Sequence, residues 1–103
     1  MLVAFSTTPD RETAERIARL LVEERLAACV QIDGPIRSVY RWPAAIEADE
    51  EWRLVIKTTA ERWPAVERAV LEAHPYDTPQ LVAAPITHAA ASYAAWLAEQ
   101  VGD

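Results

Sequence analysis

The sequence predicts an α+β fold: a ferredoxin-like βαββαβ sandwich with an extended hairpin between its second and third strands and an added C-terminal helix. Two observations predict it. Two strand-and-helix halves are joined by a long run of β-forming residues, and an amphipathic helical segment follows the second half. Residues 1–103 are expected to form a single domain, because one domain commonly has about 100–200 residues.

The first half begins with a short apolar run, Leu2 to Phe5, which predicts a buried strand. Thr8 is a favourable N-cap for the helix that follows, and Pro9 suits its first turn. The helix is predicted to end near Leu26, since up to that point apolar residues recur at helical spacing, at Ala14, Ile17, Ala18, Leu21 and Val22.

The segment from Cys29 to Trp42 is rich in β-forming residues and predicts the second strand, with a bulge at Asp33-Gly34-Pro35. Residues 52–58 alternate between apolar and polar and predict the third strand, with an acidic stretch at 47–51 near the hairpin tip. This hairpin is too long for the minimal fold. Its excess length must project, and projecting strands favour pairing with another subunit, so we expect a homo-oligomer.

The second half starts at Thr59, which can cap a helix that runs to Ala73 and ends at His74-Pro75. Residues 81–84 predict a buried strand. The final helix is predicted over residues 89–101, where Tyr93, Trp96, Leu97, Gln100 and Val101 mark one face.

The composition excludes several classes of function. Ten Lys+Arg against sixteen Asp+Glu give a net charge of −6, and no cationic cluster exists for a nucleic acid backbone. No apolar run approaches the roughly 18 residues that span a membrane. Two glycines cannot form a glycine-rich phosphate loop. A single cysteine allows no internal disulfide, which favours a reducing cytoplasm.

Three residues are candidate metal ligands: Cys29, His74 and His88. One thiolate and two imidazoles would suit copper, although no CxxC or HxxxH spacing supports them locally. Each also has a structural interpretation. Cys29 can be a small buried residue of a strand, and His74 can interact with the dipole at a helix C-terminus.

A second group of residues could line a cleft. Lys57 lies on the polar face of the third strand, with Glu47 and Glu51 earlier on the same hairpin. These charged residues form either a surface ion pair or part of a cleft between subunits. Tyr40, Trp52 and Tyr76 are candidates for the core or an interface. A hydrolase elbow of the Gly-x-Ser-x-Gly type is absent, and nothing suggests a substrate, so no enzymatic activity is predicted.

Six segments together resemble the CutA family of divalent-cation tolerance proteins, in the same order and with the same spacing over nearly the whole chain. They are Leu26-Ala27-Ala28-Cys29-Val30, Ser38-x-Tyr40-x-Trp42, Ile46-Glu47-x-x-x-Glu51, Ile56-Lys57-Thr58, His74-Pro75-Tyr76-Asp77-Thr78-Pro79 and Tyr93-x-x-Trp96-Leu97.

The resemblance implies a small cytoplasmic homotrimer of ferredoxin-like subunits, similar to PII signalling proteins. It implies a link to tolerance of copper or another divalent cation, with no organic cofactor. A small-molecule sensor or signalling scaffold with ligand clefts between subunits is the alternative. The polar residues that the resemblance places in such clefts are Cys29, Glu47, Lys57, His74 and Tyr76.

The chain departs from the family pattern at three places. It has Gly34-Pro35 where the family usually has Pro-Gly, and Ala44 where the family favours glycine. Ser6 stands where some relatives have a second cysteine, so a thiol-rich Cu(I) site cannot be built within one subunit.

Overall fold

The computed structural model describes residues 1–102 and contains four strands and three helices within that range. In chain order they are β1 (Leu2–Thr8), α1 (Arg11–Glu23), β2 (Cys29–Arg41), β3 (Ile46–Thr58), α2 (Trp63–Ala73), β4 (Leu81–Pro85) and α3 (Ala91–Val101).

The four strands form one antiparallel sheet in the order β2-β3-β1-β4. In the central rows Ala4 of β1 faces Ile56 on one side and Ala83 on the other. The core lies between one sheet face and helices α1 and α2, and its fully buried members include Ala4, Ile17, Leu21, Leu54, Ile56, Val66 and Val70. The predicted ferredoxin-like fold is therefore confirmed. The predicted burial of the strand at residues 81–84 is wrong: within residues 1–102, β4 is an edge strand that pairs only with β1, and its residues 82–85 are exposed.

The predicted start of α1 is wrong by two residues. Asp10, not Thr8, is the N-cap, because its Oδ1 accepts a hydrogen bond of 2.8 Å from the backbone N–H of Thr13. This bond lowers the pKa of the Asp10 carboxyl. Thr8 instead donates from its hydroxyl to the Asp10 carbonyl oxygen, at 2.9 Å. The helix also ends at Glu23, ahead of the predicted Leu26, and Arg25 just beyond it has a φ of 56°.

The starts of three other elements also differ from the prediction. Helix α3 begins at Ala91, two residues after the predicted start. Helix α2 begins at Trp63, because Thr59 accepts from the backbone N–H of Arg62 in a turn that precedes the helix. Strand β3 begins at Ile46, so the acidic stretch belongs to the strand.

The β2–β3 hairpin projects beyond the rest of the sheet, as predicted. Both strands have 13 residues against 7 in β1, and pairing between β1 and β3 ends at Trp52. The six residues of β3 beyond that point extend about 20 Å at the rise of an extended strand. The register between β2 and β3 shifts between Asp33 and Ile36, which confirms the predicted bulge.

The C-terminal helix completes the fold at the end of the sheet opposite the hairpin tip. Leu97 and Val101 of α3 pack against Ala28 and Met1. Within residues 1–102, no helix combines the length and apolar character needed to cross a membrane.

Candidate functional site

A cleft of about 740 Å³ opens between the projecting hairpin and the loop that follows α2. Its walls come from the end of β1, from both hairpin strands and from that loop. The lining residues are Thr7, Ser38, Val39, Tyr40, Trp42, Glu51, Pro75, Tyr76, Asp77, Thr78 and Gln80.

Glu51 lies in the wall of the cleft where β3 leaves its pairing with β1. It faces Ile36, the first paired residue after the bulge in β2. Only 8% of Glu51 is exposed, and its Oε2 accepts a hydrogen bond of 3.0 Å from the hydroxyl of Tyr76. The strand and the loop after α2 are thus joined through this carboxylate.

His74 fixes the position of that loop. Its Nδ1 accepts a hydrogen bond of 3.1 Å from the backbone N–H of Tyr76, so the proton of the neutral ring is on Nε2. That Nε2 donates to the Thr7 carbonyl oxygen at 2.7 Å. The ring also packs against the ring of Tyr76 with centroids 4.8 Å apart. Both nitrogens of the buried imidazole are therefore used to place Tyr76 over the cleft.

The two cleft tyrosines stay protonated at neutral pH. The hydrogen bond from the Tyr40 hydroxyl to Asp49 is the main cause that raises the pKa of Tyr40 to about 12. Burial, followed by the hydrogen bond to Glu51, raises the pKa of Tyr76 as well. Neighbouring carboxylates contribute to both shifts, and among residues 1–102 neither lysine nor arginine lines the cleft. The charged side chains that line the cleft, Glu51 and Asp77, are therefore both carboxylates.

The structure brings together only part of the predicted cleft set. Tyr40 and Tyr76 line this cleft, while Glu47 faces Tyr40 across the hairpin and lies just outside it. Trp52 packs against the core. Lys57 lies six residues beyond Glu51 on the same strand, where its Nζ donates to Oε1 of Gln31 at 3.2 Å. A cleft between subunits that unites all five residues stays a prediction.

Most of the lining residues were not singled out as site candidates by the sequence analysis. Ser38 and Trp42 fall within the quoted family segments, which was the available signal, whereas Thr7 and Gln80 lie outside them.

The alternation of β3 places Trp52 and Leu54 on the core side, and Glu51 was expected either in a surface ion pair with Lys57 or in a cleft. The structure shows that its carboxylate instead bonds to Tyr76, which is 25 residues away in the sequence.

The predicted metal ligands do not meet within one chain. Cys29 is level with Lys57 and Val3 in the sheet, whereas His74 contacts Thr7, four residues further along β1. Cys29 and the point at which His74 contacts Thr7 are thus separated by about 13 Å along the strands. Across the strands they are two strand spacings apart, which is about 9–10 Å. Exposed His88 interacts with the hydroxyl of Thr87 through Nδ1. In the described range 1–102, no group of three or more His, Cys, Asp or Glu side chains could hold a metal ion.

The structure shows the local contacts at the positions where the chain departs from the family pattern. Buried Ser6 donates from its hydroxyl to the Gln80 carbonyl oxygen at 2.7 Å, and so holds the segment before β4 against β1. Gly34 lies at the bulge, and the hairpin turn is closed by a bond of 2.9 Å from the Trp42 N–H to the Ala45 carbonyl oxygen.

Comparison with known proteins gives consistent matches. Residues 2–100 match the family model described as CutA1 divalent ion tolerance protein. The chain is 43% identical over 100 residues to the divalent-cation tolerance protein CutA of Thermus thermophilus, with 97% of each sequence covered. It spans only about half the length of the plant and mammalian relatives that it matches.

Solved structures agree with these matches. The structure of the divalent cation tolerance protein from Thermus thermophilus superposes with a TM-score of 0.95 at 43% identity, covering 99% of this chain and 100% of that one. The protein from Archaeoglobus fulgidus, which is described as a periplasmic divalent cation tolerance protein, superposes with a TM-score of 0.94 at 39% identity, covering 98% and 99%.

Proposed function

Because the chain belongs to the CutA1 divalent ion tolerance family, we propose that it contributes to tolerance of divalent metal ions as a homotrimer and that copper is the ion it binds. Family membership is the observation that carries the tolerance function.

The projecting hairpin supports self-association. Its outer strand, β2, is an edge of the sheet over 13 residues, and such an edge offers unpaired backbone groups to another chain. Large apolar side chains of the hairpin are also exposed: Val39 by 66%, Trp42 by 58% and Ile46 by 61%. Pairing with a second and a third copy would satisfy the edge and bury these side chains.

The predicted ligands differ in their availability for copper. Cys29 is partly exposed, and its thiol makes no hydrogen bond among residues 1–102. His88 has Nε2 free for a ligand, since only its Nδ1 is paired. His74 would first have to release either Thr7 or Tyr76. Because one chain does not assemble three ligands, a copper site would need side chains from more than one subunit.

Removal of the thiol tests this proposal. We expect copper titration by calorimetry to give a dissociation constant in the micromolar range or below for the wild type. Cys29→Ala and Cys29→Ser should both weaken binding at least tenfold, because neither side chain supplies a thiolate. Unchanged affinity in both variants would remove Cys29 from the site, and absence of micromolar binding by the wild type would contradict copper binding itself.

A second candidate function is small-molecule sensing through the cleft beside Glu51. Its volume of about 740 Å³ is within the range of about 300–1,000 Å³ that is usual for ligand pockets. The buried carboxylate of Glu51 and the aromatic rings beside it can make polar and apolar contacts with a ligand in the cleft. A thermal-shift screen of metabolites is the test, and a set of compounds none of which raises the melting temperature would contradict this function.

We propose that the protein catalyses no reaction and that it is located in the cytoplasm. The names of the relatives denote tolerance rather than a reaction. One relative is described as periplasmic, so the location is best tested by cell fractionation with an antibody against this chain. Recovery in the periplasmic or secreted fraction would contradict the cytoplasmic location.

A further inference from the structure

The cleft contains a buried carboxylate that lacks a cationic partner. Only 8% of Glu51 is exposed, yet within residues 1–102 its single hydrogen bond comes from the neutral hydroxyl of Tyr76, at Oε2. The ion pairs of this part of the chain lie elsewhere, between Arg19 and Glu23 and between Arg53 and Asp33. Oε1 of Glu51 has no hydrogen-bond partner within residues 1–102 and is not fully enclosed, so it is open to an incoming cation, and pairing would offset the cost of a carboxylate with little exposure.

The walls around this carboxylate suit an organic cation. Tyr40 and Tyr76 line the cleft with 41% and 37% of their surfaces exposed, and neither is among the side chains assigned above to contact between copies. Aromatic faces attract a cation through the ring quadrupole and also pack against methylene groups. The hydroxyls of Ser38 and Thr78 add hydrogen-bond acceptors for N–H donors.

Two other ligand classes fit less well. A bare metal ion needs several ligands within about 2–2.6 Å, and residues 1–102 contain no group of three metal-binding side chains. An anion would meet the carboxylates of Glu51 and Asp77, with no lysine or arginine among the lining residues to offset them.

We propose that the cleft binds a primary ammonium group on an aliphatic body, with the charge held by Glu51 and the methylenes against Tyr40 and Tyr76. This rests on the second candidate function above, that the cleft is a ligand site. Two sources share this chemistry: a free amine, and the side chain of Lys57 from another copy. Lys57 is the only lysine of the chain, and in its own chain it lies six residues from Glu51 along β3.

The test uses butane-1,4-diammonium as the probe, with butane-1,4-diol as its uncharged match and citrate as the anion, each titrated into the intact protein by calorimetry. We expect the diammonium to bind and the diol and citrate not to bind. Glu51→Gln should weaken diammonium binding at least tenfold, since glutamine keeps the shape and can still accept from Tyr76 but has no charge.

Glu50→Gln is the matched control, because it removes one carboxylate from the same strand but does not line the cleft. It should leave the affinity within twofold of the wild type. Circular dichroism of each variant checks the fold, and the comparison of diammonium with diol in the wild type does not depend on any variant.

Lys57→Met distinguishes the two sources. Binding by the wild type indicates a free amine, whereas binding only after Lys57→Met indicates that the lysine of another copy fills the cleft, and both outcomes support the proposal. Equal affinity in Glu51→Gln and Glu50→Gln, or no diammonium binding even to Lys57→Met, would overturn it. Binding of the diol or citrate alone would overturn the ammonium chemistry and leave the ligand function intact. A thermal-shift screen in which no compound binds would contradict both the ammonium proposal and the ligand function of the cleft. Copper titration tests the metal function independently of the cleft.

Discussion

Gly34→Ala is expected to lower the free energy of unfolding by about 2–4 kcal/mol, since backbone strain and overpacking each cost about 1–3 kcal/mol. Gly34 has a φ of 155°, a conformation that a residue with a Cβ rarely adopts. An added Cβ would lie 2.7 Å from Cδ1 of Trp52 and 3.1 Å from the Glu51 carbonyl oxygen. Guanidinium unfolding at a fixed protein concentration measures the loss.

The only other glycine, Gly102, provides the control. Its φ is −73°, and it lies at the C-cap of α3, where an added Cβ would approach the Ala98 carbonyl oxygen at 3.0 Å. We expect Gly102→Ala to cost less than about 1 kcal/mol, because its φ of −73° tolerates a Cβ and the last turn of a helix can adjust. Similar losses in the two variants would show that the bulge at Gly34 does not need glycine.

His74→Phe is expected to cost about 2–4 kcal/mol, because it leaves two polar groups at the cleft without a partner, each worth about 1–3 kcal/mol when buried. Those groups are the Thr7 carbonyl oxygen and the Tyr76 N–H. Phenylalanine keeps the aromatic packing against Tyr76 while removing both hydrogen bonds. The measurement is again guanidinium unfolding at a fixed protein concentration.

His88→Phe is the matched control for this change. His88 is exposed and has one hydrogen-bond partner, the neighbouring Thr87, so the expected change is within about 0.5 kcal/mol. If both variants were equally stable, the hydrogen bonds of His74 would not hold the loop, and His74 would be free to serve as the predicted metal ligand.

Most of the fold was predictable because its signals are local. The apolar runs of β1 and β4, the helical spacing of Ile17 and Leu21 and the alternation of β3 each specify an element within a few residues. The exposure of β4 was not predictable in this way, because it depends on the edge position of that strand in the sheet. Helix starts were less predictable, since Thr8 and Asp10 are both good N-caps. The choice of Asp10 depends on the extended backbone of that residue and on the use of the Thr8 hydroxyl elsewhere.

The candidate site was less predictable because long-range contacts build it. Nothing near Glu51 in the sequence indicates that Tyr76 covers it, and nothing near His74 indicates that its ring bonds to Thr7, 67 residues away. Periodicity also cannot reveal that Cys29 and His74 lie at different levels of the sheet, since this depends on the register between strands.

The mass of the protein in solution tests the central claim, self-association through the projecting hairpin, most directly. Size-exclusion chromatography with light scattering should give about three times the 11.5 kDa mass of the chain, unchanged on dilution to micromolar concentration. We expect this because the free edge of β2 and the exposed Val39, Trp42 and Ile46 are suited to contact between copies. A stable species at the mass of a single chain would contradict the trimer.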